Sequence, residues 1–159
     1  MIVVRIASEA IDPAQLQAAM PRDPANTGAL ASFTGYVRGD GITGMTLEHY
    51  PGMTERSIED TVRSAMRRWP LQRVEVVHRV GELLPGDPIV WLAVTAQHRA
   101  AAFSGCEYIM DYLKVSAPLW KRERDAAGEW HWVDARGRDR ERAQRWGVAP
   151  GERAAGERP

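Results

Sequence analysis

The stretch LQRVEVVHRVGELLPGDPIVWLAVTA, residues 71–96, decides the fold of this chain. Within it, RVEVVHRV (73–80) and PIVWLAVTA (88–96) predict two strands, and LLPGD between them predicts a turn. The second strand is almost wholly apolar, which is typical of a strand in the middle of a sheet. Two strands joined by a short turn form a hairpin, so the stretch predicts the antiparallel centre of a sheet.

Amphipathic helices are predicted on both sides of this hairpin. Thr54 is the expected N-cap of the first helix, and Pro70 stops it. The second runs from about residue 100 to 115, and Pro118 prevents its continuation. Each has one apolar side at three- and four-residue spacing, formed by Ile58, Val62, Ala65, Met66 and Trp69 in the first and by Ala102, Phe103, Cys106, Ile109, Met110 and Leu113 in the second.

The rest of the chain adds short elements. Residues 2–7 predict a strand, and Asp12-Pro13 starts a short helix that reaches about Met20. GALASFTGYVR (28–38) and MTLEHY (45–50) predict a hairpin around GDGITG, LWKRER (119–124) and WHWVDA (130–135) predict another, and a charged helix covers 137–146. The pattern predicts an α+β fold, a mostly antiparallel sheet of hairpins with packed helices, in a single domain over 1–146. Residues 147–159 are expected to be a disordered tail.

Composition narrows the function classes. The 159 residues carry no net charge, which argues against a general nucleic-acid or membrane binder. There is one cysteine, so no disulfide can form within the chain, and no signal peptide or apolar span is evident. The simplest expectation is a cytoplasmic protein.

The basic residues are nineteen arginines and two lysines, Lys114 and Lys121. Lysine can act as an acid, a base or a nucleophilic amine, whereas arginine stays charged. Each lysine also has a plain explanation: arginine-rich coding leaves a few lysines by chance, a cation suits a helix C-terminus such as that at Lys114, and Lys121 can be an exposed strand residue. Because the helix ends between them, the two are not expected to share a helical face.

Other cations are predicted at the ends of elements. His98-Arg99 joins the central strand to the long helix, where free N–H groups favour an anion; Gln97 or His98 could instead simply cap that helix. Arg38 ends a strand beside a Gly-rich turn. With Lys114 and Lys121 these form a candidate cluster for an anionic, phosphorylated substrate. The histidines have no partner at the spacing that metal ligands use, and Cys106 is predicted to be a core residue. No metal site is therefore expected.

The sequence resembles the large, catalytic subunit of molybdopterin synthase. The resemblance covers most of residues 28–146, in the segments GALASFTGYVRG, MTLEHYPGMTE, RWPLQRVEVVHRVGELLPGD, VTAQHRAAAF, YIMDYLKVSAPLWKRE and WVDAR. It implies an α+β homodimer that binds a small ubiquitin-like sulfur carrier on each protomer, within a heterotetramer. The thiocarboxylate on the carrier's C-terminal Gly-Gly tail would give sulfur to cyclic pyranopterin monophosphate, forming the dithiolene of molybdopterin. The resemblance implies no resident cofactor.

The resemblance also implies roles for residues. Lys114 and Lys121 match the catalytic lysines. Substrate-binding positions match Phe33, Tyr36, Val37, Arg38, His98, Arg99, Met110, Arg122, Glu123 and Arg136. The loop after Arg38 is shorter than usual, and Tyr36 stands where a lysine is frequent. Two alternatives remain: a non-catalytic dimeric module that binds the carrier tail, and an unrelated phosphate-ligand enzyme with a lysine nucleophile.

Overall fold

The computed structural model describes residues 1–133 and 137–147. Eight strands and four helices lie in this part of the chain. In chain order they are β1 (Ile2–Ala7), α1 (Pro13–Ala19), β2 (Ala29–Tyr36), β3 (Ile42–His49), α2 (Met53–Arg68), β4 (Leu71–Arg79), β5 (Gly81–Leu83), β6 (Pro88–Ala96), α3 (Arg99–Ser116), β7 (Leu119–Asp125), β8 (Trp130–Val133) and α4 (Gly137–Gln144). Arg136 and residues 148–159 lie outside the described residues.

The strands form two sheets, with the orders β1-β4-β6-β2 and β5-β3-β7-β8. Only the β1–β4 pair is parallel, which confirms the mostly antiparallel α+β prediction. The β4–β6 hairpin is confirmed, with Val76 opposite Leu92, and so is the β7–β8 hairpin. β6 lies inside the first sheet and is buried along most of its length, as its apolar sequence predicts.

The predicted hairpin between residues 28–38 and 45–50 is wrong. β2 pairs with β6 in the first sheet, whereas β3 pairs with β5 and β7 in the second. Burial explains the separation, because Ala31 packs in the main core with Val94, while Met45 and Leu47 pack in a different cluster with Val37. The glycine turn is present, with Gly41 at φ +74°, but it carries the chain from one sheet to the other.

The main core lies between the first sheet and helices α2 and α3, and α1 covers the opposite face of that sheet. α2 begins two residues earlier than predicted, with Gly52 at the N-cap and φ +79°. The predicted N-cap, Thr54, instead lies inside the first turn and is fully buried. Glu55, in the same turn, binds the start of the helix: its Oε2 accepts a hydrogen bond from the Gly52 N–H at 2.7 Å.

A candidate anion site at the ends of α3

Lys114 lies in the last turn of α3, as predicted. Its side chain is 52% exposed, and its Nζ lies 3.7 Å from Oδ1 of Asp139 on α4. A partly exposed ion pair at this separation is weak, so it leaves the ammonium open to another anion. The helix stops at Ser116, and Ala117 adopts the extended conformation before Pro118.

Asp111, one helical turn before Lys114, fixes α4 onto α3. Its buried carboxylate accepts hydrogen bonds from Arg142 Nε at 3.0 Å, Arg145 Nη2 at 2.9 Å and Trp146 Nε1 at 2.8 Å. Burial raises the pKa of Asp111, but the hydrogen bonds from Trp146, Arg142 and Arg145 outweigh it and hold the pKa below its ordinary value of 3.8. The sequence offered one signal for this contact, an acid within the apolar part of a helix with arginines further along the chain.

Lys121 lies on β7, in the second sheet, opposite Leu47 of β3 and Val133 of β8. Its side chain is only 28% exposed, and its Nζ lies 2.9 Å from Oε1 of Glu123. Residues two apart on a strand share a face, which is why Glu123 reaches Lys121. The half-buried ion pair sets the direction of the lysine amine.

Arg122 faces the other side of the same strand. Its guanidinium lies over the rings of Trp132 and Trp130, at 5.0 and 5.7 Å from their centroids, and pairs with Glu48 at 3.1 Å. Alternation along the strand therefore separates Arg122 from Lys121 and Glu123, although the three are consecutive in sequence.

The α3–β7 junction, residues 116–118, separates the two lysines and is held by α2. Ser57 Oγ donates to the carbonyl of Ser116 at 2.9 Å, and Thr54 Oγ1 donates to the carbonyl of Pro118 at 3.0 Å. Carbonyls at a helix C-terminus lack partners within the helix, and Ser57 provides a partner for the last one, while Thr54 binds a carbonyl just beyond the helix. Sequence reasoning missed this contact.

Three predicted residues lie at the end of β2. Tyr36 and Arg38 are exposed, whereas Val37 is buried. The Val37 backbone is anchored on both sides, because its N–H donates to the carbonyl of Asp87 and its carbonyl accepts from the Gly86 N–H, both at 2.9 Å. The buried Val37 thereby fixes the backbone from which Arg38 projects.

Phe33 and Met110 differ in burial. Phe33 is partly exposed on β2 opposite Leu92, and its ring covers Gly35, whose Cβ position would be 3.3 Å from Phe33 Cε1. Met110 is buried on α3 in the main core. A larger residue at position 35 would therefore push directly on the Phe33 ring.

His98 and Arg99 begin α3, and both are exposed. His98 occupies the N-cap position, yet its side chain makes no capping hydrogen bond. Within residues 1–133 and 137–147, neither side chain forms a hydrogen bond or an ion pair. Their free donors and the unpaired N–H groups of the first turn favour an anion at this end of the helix.

The predicted cluster of five cations does not form within one copy of the chain. Arg99 and Lys114 are at opposite ends of α3, about 22 Å apart along its axis at the usual rise per residue. β2 and β6 run antiparallel, with Tyr36 opposite Pro88 and Ala29 opposite Ala96, so Arg38 is also about 25 Å from His98. The prediction had grouped these residues by their place at element ends without asking which end.

Cys106 is buried in the core, and this burial, with the nearby charge of Glu107, raises the pKa of its thiol to about 11. The prediction of a core residue is confirmed. Within the described ranges, no group of three His, Cys, Asp or Glu side chains could hold a metal ion. No helix in the same ranges is long and apolar enough to cross a membrane.

Fold and site together define an α+β protein that presents cations at both ends of one long helix. A family model described as MoaE protein matches residues 6–116. The chain belongs to this family.

Curated relatives agree. The molybdopterin synthase catalytic subunit of Escherichia coli strain K12 is 53% identical over 123 residues, 75% of this chain and 81% of the relative. That of Pseudomonas aeruginosa is 45% identical over 149 residues, 91% and 99% of the two chains. Among solved structures, the molybdopterin biosynthesis MoaE protein of Burkholderia ambifaria has a TM-score of 0.80 at 48% identity and covers 94% of this chain and all of its own.

Proposed function

We propose that this chain is the catalytic subunit of a molybdopterin synthase and acts as a sulfurtransferase. It takes one sulfur from the thiocarboxylated C-terminus of each small ubiquitin-like carrier, which water releases as a carboxylate, and two such transfers to cyclic pyranopterin monophosphate form the dithiolene. The relatives named as molybdopterin synthase catalytic subunits support the reaction. The observation that carries the site is the placement of the only two lysines on either side of one hydrogen-bonded junction.

In this proposal Lys114 receives the carrier's tail. Its ammonium is half exposed and its pairing with Asp139 is loose, so an incoming carboxylate or thiocarboxylate can compete for it. Placed beside the carrier's terminal carbonyl, the ammonium stabilises negative charge that develops there as sulfur leaves. The exposure of Lys114 suits contact with another protein.

Lys121 acts on the pterin substrate. Its amine is half buried and directed by Glu123, which gives it the fixed position that a reacting group needs. Arg122 faces away from this amine and stacks on Trp130 and Trp132, so its part in the proposal is to hold the β7–β8 pair beneath the site.

A homodimer completes the site. His98 and Arg99 are too far from the lysines of their own chain, so in this proposal they serve the lysines of the partner copy. A two-fold axis perpendicular to α3 near its middle would place the start of α3 in one copy beside the end of α3 in the other. Arg38, on the well-anchored end of β2, adds a further cation for the phosphate.

The cations also solve an electrostatic problem. Thiocarboxylate and cyclic phosphate are both anions and repel each other as they approach. Fixed cations offset that repulsion and hold sulfur close to the carbon it attacks, and positioning with charge stabilisation can together supply large rate factors.

Reconstitution tests the proposal. The purified chain is mixed with thiocarboxylated carrier and cyclic pyranopterin monophosphate, and dithiolene formation is followed. Lys114→Ala and Lys121→Ala should each lower the rate at least about 100-fold, as expected for loss of a charge-stabilising donor. The control is Arg63→Ala, which removes an exposed α2 cation paired with Glu59 and should leave the rate within about twofold.

Two outcomes would overturn the assignment. Near-normal product with Lys114→Ala would remove that lysine from the reaction. Binding of the carrier by the unaltered chain without any dithiolene would favour a non-catalytic module that only holds the carrier tail.

A further inference from the structure

We propose that Thr54, with Ser57 beside it, is a positioning residue that sets the distance between Lys114 and Lys121. This inference rests on the proposed function, because it gives Thr54 a purpose only if both lysines act in one reaction. Thr54 touches neither lysine. It acts through the α3–β7 junction that joins them.

The Thr54 hydroxyl both accepts and donates a hydrogen bond. The side chain is fully buried, and Oγ1 accepts from the Tyr50 N–H at 3.0 Å while donating to the carbonyl of Pro118 at 3.0 Å. Threonine is the smallest branched residue that can do both and still fill an apolar site. Replacing the hydroxyl by a methyl group would remove the partner of the Tyr50 N–H and of the Pro118 C=O, two groups that are only partly accessible to water.

Ser57 makes the second attachment, one helical turn further along α2. Its Oγ donates to the carbonyl of Ser116, the last residue of α3, at 2.9 Å. The two hydroxyls thus bind the two carbonyls that flank Ala117, at the point where the chain changes from helix to strand. A junction attached at two points cannot pivot about either one.

The contacts close a ring that includes the strand of Lys121. β3 pairs with β7, with His49 opposite Leu119 and Leu47 opposite Lys121. The residue after β3 is Tyr50, whose N–H binds Thr54, and Thr54 in turn binds Pro118, the residue before β7. The start of β7 is therefore fixed from its neighbouring strand and from α2 at once.

These hydrogen bonds connect two segments that are distant in sequence. HYPGMTE (49–55) provides the end of β3, the glycine N-cap and Thr54, and KVSAPLWK (114–121) provides both lysines and the junction. Glu55 stabilises the same turn by accepting from the Gly52 N–H. All the hydrogen bonds that Thr54 and Ser57 make to the junction are between neutral groups, so protonation does not change them.

Thr54→Val tests the inference, and Thr61→Val is the matched control. Thr61 is also a buried threonine of α2, but its Oγ1 donates to the carbonyl of Ser57 within the same helix and does not contact the junction. With saturating carrier and pterin substrate, kcat should fall at least about 10-fold in Thr54→Val, because small misplacements of reacting groups have large effects. Thr61→Val should stay within about twofold, and Thr54→Ser should recover most of the loss.

Two further measurements separate positioning from folding. The carrier's dissociation constant should change by less than about twofold in Thr54→Val, since Lys114 remains exposed while only its distance from Lys121 is altered. Amide exchange of Ala117 and of residues 119–121 should be at least about 10-fold faster than in Thr61→Val, because the junction has lost its anchor.

The inference is overturned if the kcat of Thr54→Val equals that of Thr61→Val, or if the loss lies wholly in carrier binding. If Thr54→Val fails to fold, Ser57→Ala replaces it, and an unchanged kcat in that variant overturns the inference equally. Failure of the proposed function looks different, because the unaltered chain then yields no dithiolene and Lys121→Ala changes nothing. Amide exchange at the junction would still decide whether Thr54 anchors it.

Discussion

The two ends of α3 are constructed differently. At the N-terminal end, the side chains of His98 and Arg99 are exposed and make no hydrogen bond or ion pair with the rest of the described chain. At the C-terminal end, α2 binds the junction through two hydroxyls, and α4 with the turn after it binds Asp111 through Arg142, Arg145 and Trp146. Within the described residues, the side chains at the N-terminal end are left without such partners, whereas the backbone at the C-terminal end is held by its neighbours.

The difference shows that a binding group and a positioned group need different surroundings. An anion-binding arginine gains from having no competing partner, since any partner must be displaced when the ligand arrives. A group that must act at a fixed distance gains from neighbours that limit its motion. The two attachments at the C-terminal end also differ from each other, because the α2 contacts are neutral and the α4 contacts are ionic.

Arg99→Ala should have a large effect on activity with almost none on stability. Loss of a charge-assisted contact to the substrate should lower kcat/KM about 30- to 100-fold, equivalent to about 2 to 3 kcal/mol. The urea midpoint should not move, because the Arg99 side chain forms no hydrogen bond or ion pair within the described residues. A loss of stability equal to the loss of activity would contradict this view of the N-terminal end.

Mixing variants sharpens the same prediction. Equal amounts of Arg99→Ala and Lys121→Ala chains, exchanged into mixed dimers, should recover about a quarter of the original activity if each site takes Arg99 from one copy and Lys121 from the other. Half of the dimers would then be mixed, and each would have one intact site. No recovery after verified exchange would place Arg99 and Lys121 of one chain in the same site.

Asp111→Ala should be the most destabilising change at the other end. It removes the acceptor of three hydrogen bonds, two of them from arginines, and should lower the free energy of unfolding by about 2 to 3 kcal/mol. The control is Glu107→Ala, on the same helix, where a half-exposed carboxylate binds the same Arg142 and Arg145. That variant should lose about 1 kcal/mol or less in urea denaturation. Equal losses would show that burial of Asp111 is not what holds α4.

Acid should loosen α4 before it loosens the junction. Because the folded-state pKa of Asp111 lies below its ordinary 3.8, its stabilising contribution is complete above that value and is lost as pH falls through the lowered pKa. The indole N–H resonance of Trp146, which reports the bond to Asp111, should therefore be constant from neutral pH down to 3.8 and shift below it. The Leu119 amide, beside the neutral contacts, is the reference signal and should shift later, with global unfolding.

The smallest effect is expected for Asp139→Asn. The Lys114–Asp139 pair is long and partly exposed. The free energy of unfolding, measured in urea, should therefore change by no more than about 0.5 kcal/mol. Carrier affinity should rise slightly, because a competing carboxylate is gone. If the free energy of unfolding fell by more than about 1 kcal/mol, Asp139 would be holding Lys114 in place. The Lys114–Asp139 pair would then belong with the ionic contacts between α3 and α4.

Local signals allowed much of the fold to be predicted. The β4–β6 and β7–β8 hairpins follow from turn residues between two strands that pair with each other, and α3 follows from apolar spacing with Pro118 beyond it. β5 was not predicted, since three residues give no usable periodicity. The false β2–β3 hairpin shows the limit of turn signals: a glycine turn fixes where the chain bends but not which strand it meets next.

The site was predicted residue by residue but not as an arrangement. The positions of Lys114 and Lys121 at a helix end and on the next strand were correct. The separation of Arg99 from Lys114 could have been found from helix length alone. The roles of Thr54 and Asp111 could not, because their partners Pro118 and Arg142 are 64 and 31 residues away and only packing brings them together.

The burial of Cys106 has a practical consequence. It is the only thiol in the chain, it is enclosed by the core, and its raised pKa keeps it protonated at neutral pH. Thiol-directed reagents should therefore not react with Cys106 in the folded protein. One cysteine introduced on the surface would then carry a fluorophore or spin label at a single defined place. Distances between labels on two copies of the chain could therefore be measured without first replacing Cys106.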